Sequence, residues 1–227
     1  VVFCSPHNPV GRVWTISELK GLADLCKRHD VILISDEIHM DFVFAPHKHH
    51  MLFDLDPSYK EFVITLISAS KTFNLADLHT SQIIVFNKDH TRSIWREFEK
   101  MGMTGVNGWG QAAHKAAYLY GDAYVDAMIQ QIAANRDLVI KQLNKHHSKI
   151  KVIDHQGLYV LWLDFRAYQK EQSEIKDLLL KKAKVWLHDG SVFGTSGNGF
   201  FRMNIATSPN RVSEAIDRII SVLDQSV

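Results

Sequence analysis

Three polar groups, an amine, a carboxylate and an amide, each stand just past a short apolar run. Together they suggest a site for a carbonyl compound that carries a phosphate. In Ser68-Ala69-Ser70-Lys71-Thr72-Phe73-Asn74-Leu75-Ala76, two hydroxyls and one lysine follow the apolar run Phe62-Val63-Ile64-Thr65-Leu66-Ile67. A lysine amine condenses with an aldehyde to a Schiff base when its neutral form is accessible. Asp36 follows Val31-Ile32-Leu33-Ile34-Ser35, and Asn8 follows Val1-Val2-Phe3-Cys4. In open α/β sheets ligands bind beyond the carboxyl ends of the strands. A lone lysine past a strand is ordinarily a solvated surface residue. The recurrence of polar groups at three strand ends is what argues for a common ligand.

The elements that must position these groups alternate between strand and helix. Val1 to Cys4 reads as a strand, and Ser5 to Gly11 as a loop, because two prolines and a glycine bar regular structure. Thr15 and Glu18 have capping-box spacing, and Leu19, Leu22, Ala23, Leu25 and Cys26 continue as a helical stripe. Val31 to Ser35 is continuously apolar, as strands buried on both faces of a parallel sheet are. Phe62 to Ile67 reads the same way. Further on, Thr80 to Phe86 reads as a strand, and Asn87 as the cap of a helix reaching Met101. Two more helices are predicted over 108–120 and 124–147, the latter with Met128, Ile132, Leu138, Val139 and Leu143 at helical period. A boundary near Asp122 then divides a large domain, 1–122, from a linking helix and small domain, 123–227. The small domain is expected to be α+β. Its predicted strands cover 151–154, 158–165, 185–187 and 200–206, with a helix over 173–184 and a glycine-rich loop over 190–199. Ser208-Pro209 opens the last helix. The expected fold class is α/β: a mostly parallel sheet with flanking helices, plus a small α+β carboxy-terminal domain.

Composition excludes several classes of partner. The 227 residues are 46% hydrophobic and 22% charged, enough apolar mass for a real core. A formal charge of +1, from 26 basic and 25 acidic residues, gives no pull toward nucleic acid or an anionic membrane. There is no apolar run long enough to predict a membrane span, and no signal-peptide pattern at the start. Two cysteines, Cys4 and Cys26, do not make a disulfide framework, so a cytoplasmic location is expected. Both read as small buried residues rather than nucleophiles. The opening Val1-Val2-Phe3-Cys4, without methionine, reads as the middle of a longer protein entered at a strand.

A pyridoxal 5′-phosphate site needs these residue types. Lys71 supplies the amine. Asp36 supplies the anion that keeps the ring nitrogen protonated, since an opposite charge nearby favours the cationic form; the protonated ring is an electron sink. Asn8 and His39 are candidate donors to the phenolic oxygen, and Ser68, Ser70 and His79 candidate phosphate ligands. Arg202, in Gly199-Phe200-Phe201-Arg202-Met203-Asn204, offers a planar fork for a substrate carboxylate.

Asn8-Pro9-Val10-Gly11, Ser35-Asp36-Glu37-Ile38-His39, Ser68-Ala69-Ser70-Lys71 and Phe200-Phe201-Arg202 together resemble fold-type-I pyridoxal-phosphate enzymes of aminotransferase class I/II. Pro6-His7-Asn8-Pro9-Val10-Gly11-Arg12-Val13-Trp14 and Lys71-Thr72-Phe73-Asn74-Leu75-Ala76 are most similar to the MalY/PatB-type cystathionine β-lyase branch. The resemblance implies that Lys71 forms the Schiff base, Asp36 pairs with the ring nitrogen and Asn8 bonds the phenolic oxygen. It further implies that Ile38 packs under the ring and that His39 stands where many aminotransferases carry tyrosine. Ser68 and Ser70 would bind phosphate, and Arg202 the substrate α-carboxylate. The chain departs from the pattern at Asp77, where glycine is expected, and at His79, where arginine is frequent. The family's amino-terminal part normally supplies the phosphate loop and a stacking aromatic, and it is not in this sequence. Weak cofactor binding by these residues alone is therefore expected. The implied activity is carbon–sulfur β-elimination on a small amino acid, cystathionine or a cysteine conjugate, giving pyruvate, ammonia and a thiol. A homodimer of the complete protein is implied as well.

Other readings are weighed against this one. Class I/II transamination uses the same residues, and an inactive fragment or regulatory interaction module would keep the fold without turnover. Ser68 to Lys71 also satisfies S-x-x-K of serine β-lactamases. It follows a strand, however, and lacks the companion S-D-N and K-T-G motifs, so that reading is rejected. His47, His49 and His50 have no zinc spacing and read as a surface loop.

Overall fold

The computed structural model describes residues 1–103 and 105–224. In chain order its elements are β1 (Val2–Cys4), α1 (Ile16–Arg28), β2 (Leu33–Asp36), β3 (Val63–Ile67), α2 (Ala69–Thr72), β4 (Gln82–Ile84), α3 (Lys88–Lys100), α4 (Gly108–Tyr120), α5 (Asp122–Lys145), β5 (Lys151–Val152), β6 (Val160–Asp164), α6 (Gln172–Asp177), β7 (His188–Asp189), β8 (Phe200–Asn204) and α7 (Pro209–Leu223). They form two compact units. The first holds Val1–Asn8 and Val13–Ala127; the second holds Pro9–Arg12 and the chain from Met128 onward.

The first unit is built on a sheet of order β1-β2-β3-β4. β1, β2 and β3 run parallel, and β4 returns antiparallel to β3. Because the first three strands are parallel, their carboxyl ends lie along one edge. Helix α1 makes the connection from β1 to β2, and its start is legible residue by residue. Thr15 Oγ1 accepts the Glu18 amide at 3.3 Å, and Glu18 Oε2 accepts the Thr15 amide at 3.0 Å, a reciprocal cap for two otherwise orphaned donors. Leu19, Ala23 and Cys26 form one face of α1 and pack in a cluster with Leu33, Leu52, Tyr59 and Val63. Burying a leucine such as Leu19 contributes roughly 1.5–3 kcal/mol. Asn87 caps α3 as expected, its Oδ1 accepting the Asp89 amide at 2.9 Å.

The second unit carries an antiparallel sheet of order β5-β6-β8-β7. β6 is buried along all five residues. α7 buries Val212, Ile216, Ile219, Ile220 and Leu223, a stripe at helical spacing. On α5, buried Asn135 donates to the carbonyls of Ile205 and Thr207, both at 2.8 Å. These bonds fix the chain that leaves β8.

Several local expectations shift. The strand expected over 185–187 lies instead at His188–Asp189, because only these two residues come into register with Arg202 and Phe201 before Gly190 turns the chain. The helix expected over 173–184 is α-helical to Asp177 and then widens into a π turn, Leu178–Lys182. Ser208 occupies the cap position of α7 without a side-chain bond, and Pro209 begins the helix. Among the described residues no helix is long and apolar enough to cross a membrane.

Candidate active site

Register places the first group of site residues. Cys4, Asp36 and Leu66 sit side by side at the ends of β1, β2 and β3. The chain leaves β1 through Ser5, whose amide donates to the Asp36 carbonyl at 3.0 Å, and reaches half-buried Asn8. The Cys4 thiol reports both neighbours. Burial pushes its pKa up, the Asn8 backbone opposes that, and the Asp36 carboxylate reinforces it.

Beyond β2 the side chains diverge. Asp36 is half-buried, and its Oδ1 accepts the Ile38 amide at 3.2 Å, a local turn. Ile38 is half-buried, while His39 is buried with its ring 6.0 Å from that of Phe42. Glu37 points the other way and is fully buried. Its Oε1 accepts from Ser35 Oγ at 2.8 Å and from the Leu52 amide at 3.3 Å, and its Oε2 lies 2.6 Å from His49 Nε2. The expected surface loop of histidines is thus only partly on the surface. His47 is exposed, but His49 turns inward onto Glu37.

The Lys71 turn is a single helical turn, α2, opened by Ser68 in extended conformation. Lys71 is exposed, and its amine makes no hydrogen bond or ion pair among the described residues. Thr72 is buried and donates to Asp41 Oδ2 at 2.7 Å, tying the turn to the segment after β2. The two serines divide. Ser68 is buried; its hydroxyl donates to the Thr80 carbonyl at 2.8 Å and accepts the Ser70 amide at 3.0 Å. Its proton reaches a phosphate only by leaving Thr80. Ser70 is half-buried, with no side-chain bond among the described residues. The S-x-x-K stretch does open a short helix, so its rejection as a β-lactamase motif rests on the missing companion motifs.

One expected site residue stands apart from this cluster, and another belongs to the second unit. His79 is exposed in the left-handed region, φ 47°, at the end of a 3-10 turn. It borders a cavity of about 550 Å³ together with Thr80, Trp95, Met103 and Asn107, and none of Asn8, Asp36 and Lys71 lines that cavity. Arg202 belongs to the second unit, at the centre of β8 opposite Trp162. Its guanidinium lies 5.1 Å from the Phe193 ring centre, a cation–π contact that orients the fork. Burial lowers its pKa, and Tyr159 works in the opposite direction.

Sequence reasoning missed Glu37, Asp41, Thr72 and His114 as parts of the scaffold. The first three lie within a few residues of Asp36 or Lys71, and their polarity beside a strand end was the available signal. His114 had none beyond being a lone histidine in an alanine-rich helix. Its Nε2 lies 3.2 Å from the Ala69 amide, at the first residue of the Lys71 turn.

The donor set fits a phosphorylated aldehyde cofactor: an unpaired amine, a half-buried carboxylate and an amide group at adjacent strand ends. The family model for aminotransferase class I and II matches residues 1–219, and the chain belongs to that family. It is 34% identical to cystathionine β-lyase PatB of Bacillus subtilis (strain 168) over 222 residues, covering 98% of this chain and 57% of the relative. Identity to the cystathionine β-lyase of Corynebacterium glutamicum is 32%, covering 98% of this chain and 59% of that protein. Among solved structures, cystalysin from Treponema denticola, which contains pyridoxal 5′-phosphate, superposes with a TM-score of 0.96 at 31% identity. That match covers 100% of this chain and 57% of cystalysin. The chain thus spans somewhat more than half the length of the proteins it matches.

Proposed function

We propose that this chain carries the lysine and ring-nitrogen side of a pyridoxal 5′-phosphate site, and that the full-length protein is a carbon–sulfur β-lyase. One observation carries the reading. Three parallel strands end side by side: half-buried Asp36 closes β2, and just past the ends of β1 and β3 stand Asn8 and the turn that presents the Lys71 amine. The bound cofactor would supply an electron sink for the carbanion at the substrate Cα. Lys71 would hold the cofactor aldehyde through its amine and, as a free amine, would take the proton from the substrate Cα. Asp36 would keep the ring nitrogen protonated by charge proximity. Asn8 and His39 would be the donors for the phenolic oxygen, and Ile38 the apolar contact for the ring. Ser70 is the better placed of the two serines for phosphate, because Ser68 is already committed to Thr80. His79 contributes to phosphate only if its cavity and the Lys71 cluster serve one ligand. Arg202 would offer its fork to a substrate carboxylate. β-Elimination from a cysteine-type substrate, followed by hydrolysis, would give a thiol, pyruvate and ammonia. In this reading residues 1–122 are the cofactor-bearing part and 123–227 the linking helix and small domain. The complete protein is a cytoplasmic homodimer acting on cystathionine or a cysteine conjugate.

Transamination is the second reading, favoured by the name of the matched family and served by the same residues. A single assay separates the two: pyruvate release from cystathionine against amino transfer to a 2-oxo acid, with the full-length protein. Pyruvate release without an acceptor is expected; transfer without pyruvate sinks the lyase. Borohydride reduction of the cofactor-loaded protein should place the phosphopyridoxyl mass on Lys71. In Lys71→Ala, turnover should fall by at least the roughly 10²–10⁴-fold that a positioned base contributes.

A further inference from the structure

We propose that His114 is a positioning residue for Lys71, acting as the hydrogen-bond acceptor for the amide that opens the Lys71 turn. The inference rests on Lys71 being the reactive amine. A helix of four residues cannot stand by itself, because nucleation is unfavourable and its first amides have no internal partner. α2 must be tethered from outside, and it has three tethers. Ser68 Oγ accepts the Ser70 amide at 3.0 Å, Thr72 Oγ1 reaches Asp41 at 2.7 Å, and His114 Nε2 accepts the Ala69 amide at 3.2 Å. The Thr72 tether reaches the segment after β2, 31 residues away, and the His114 tether reaches a helix, α4, 45 residues along the chain.

The hydrogen-bond directions settle the tautomer. The Ala69 amide can only donate, so Nε2 carries no proton. Nδ1 then bears the hydrogen and donates to the Gly110 carbonyl, 3.1 Å away. The ring is buried at 4% exposure and held on both sides. Ser68 Oγ lies 3.5 Å from the same Nε2, and the Tyr118 ring stands 6.3 Å away. A glycine makes this approach possible. A Cβ on Gly110 would sit 2.0 Å from Thr80 Oγ1 and 3.1 Å from Thr80 Cβ. Thr80 also accepts the Ser68 hydroxyl. The closeness of α4 and the capping of α2 are therefore fixed at the same residue. An apolar replacement of His114 leaves the Ala69 amide buried without an acceptor and removes the hydrogen bond between α4 and the start of the Lys71 turn, leaving the Phe73–Tyr118 ring contact at its end. Glutamine keeps an acceptor oxygen at about the same reach.

The test compares full-length wild type, His114→Leu and His114→Gln in two measurements. One is hydrogen exchange at the Ala69 and Ser70 amides. The other is the rate at which pyridoxal 5′-phosphate followed by borohydride labels Lys71, read by mass spectrometry. His114→Leu is expected to speed exchange about tenfold, the equivalent of one lost hydrogen bond, and to slow labelling of Lys71. His114→Gln is expected to restore both. Gly110→Ala should reproduce the leucine phenotype with the histidine intact, which separates loss of the tether from loss of the ring. Unchanged exchange in His114→Leu overturns the proposal. Faster exchange with unchanged labelling also overturns it, since His114 would then be structural only. Failure of Lys71 to label in the wild type overturns the proposed function instead, and the exchange contrast still decides whether His114 holds the turn.

Discussion

Asp36 and Glu37 are neighbouring carboxylates at the end of one strand, and the structure gives them opposite fates. Glu37 is fully buried and takes hydrogen bonds from Ser35, Leu52 and His49. Asp36 is half-buried and accepts one backbone amide. Successive side chains on a strand face opposite sides of the sheet, so adjacent acids sample different environments. A buried acid must have its partners inside the protein, and Glu37 has them. An acid meant for a ligand must keep capacity in reserve, and Asp36 does. Between two like residues, the one with fewer partners is the better candidate for function.

The largest expected effect breaks the Glu37 side of this contrast. Glu37→Ala leaves His49 and Ser35 facing an empty buried position and should cost about 3–5 kcal/mol, read from urea unfolding. Should Asp36→Ala cost as much, the contrast collapses. Next comes a buried group in the second unit, which tests whether burial by itself creates such dependence. Burial, helped by Arg136, holds the His155 pKa down at about 4, below its ordinary 6.5. The folded chain therefore binds fewer protons than the unfolded chain between those values. That stability is complete above pH 6.5 and is lost as pH falls toward 4, about 3 kcal/mol in all. His155→Phe should flatten that part of the pH–stability curve.

A smaller effect concerns the turn itself. Thr72→Val removes the bond to Asp41 and should cost about 1.5–3 kcal/mol, with faster proteolysis near Lys71. The smallest stability effect belongs to Asp36. Asp36→Asn should change unfolding free energy by under ~1 kcal/mol yet weaken cofactor binding by the full-length protein, followed by absorbance titration. Asp36→Asn with undiminished cofactor affinity would remove Asp36 from the site and leave it a turn residue.

Much of the scaffold was legible because its causes are local. The capping box at Thr15 and Glu18 and the cap at Asn87 are signals within four residues, and both helices start where those signals say. The bounds of α4 match the expected 108–120, because Gly121 follows a helical run. The parallel strands were readable as continuous apolar runs. What escaped was set at long range. The short strand β7 falls where register with β8 allows, not at the apolar run Val185-Trp186-Leu187 before it. The π turn after Asp177 has no composition that marks it. His49 looked like one of three surface histidines until its pairing with Glu37, twelve residues away, became visible.

The sequence by itself determined which groups could do chemistry: Lys71, Asp36 and Asn8 at the ends of three apolar runs, and Arg202 in a late strand. Residue type and strand-end position suffice for that, because both are properties of short segments. Only the tertiary structure decided which of their neighbours were already spoken for. Ser68 is committed to Thr80, Glu37 to His49, and His114 to the amide that opens the Lys71 turn. Hydrogen-bond satisfaction depends on what packs opposite, and packing joins residues that the chain keeps far apart.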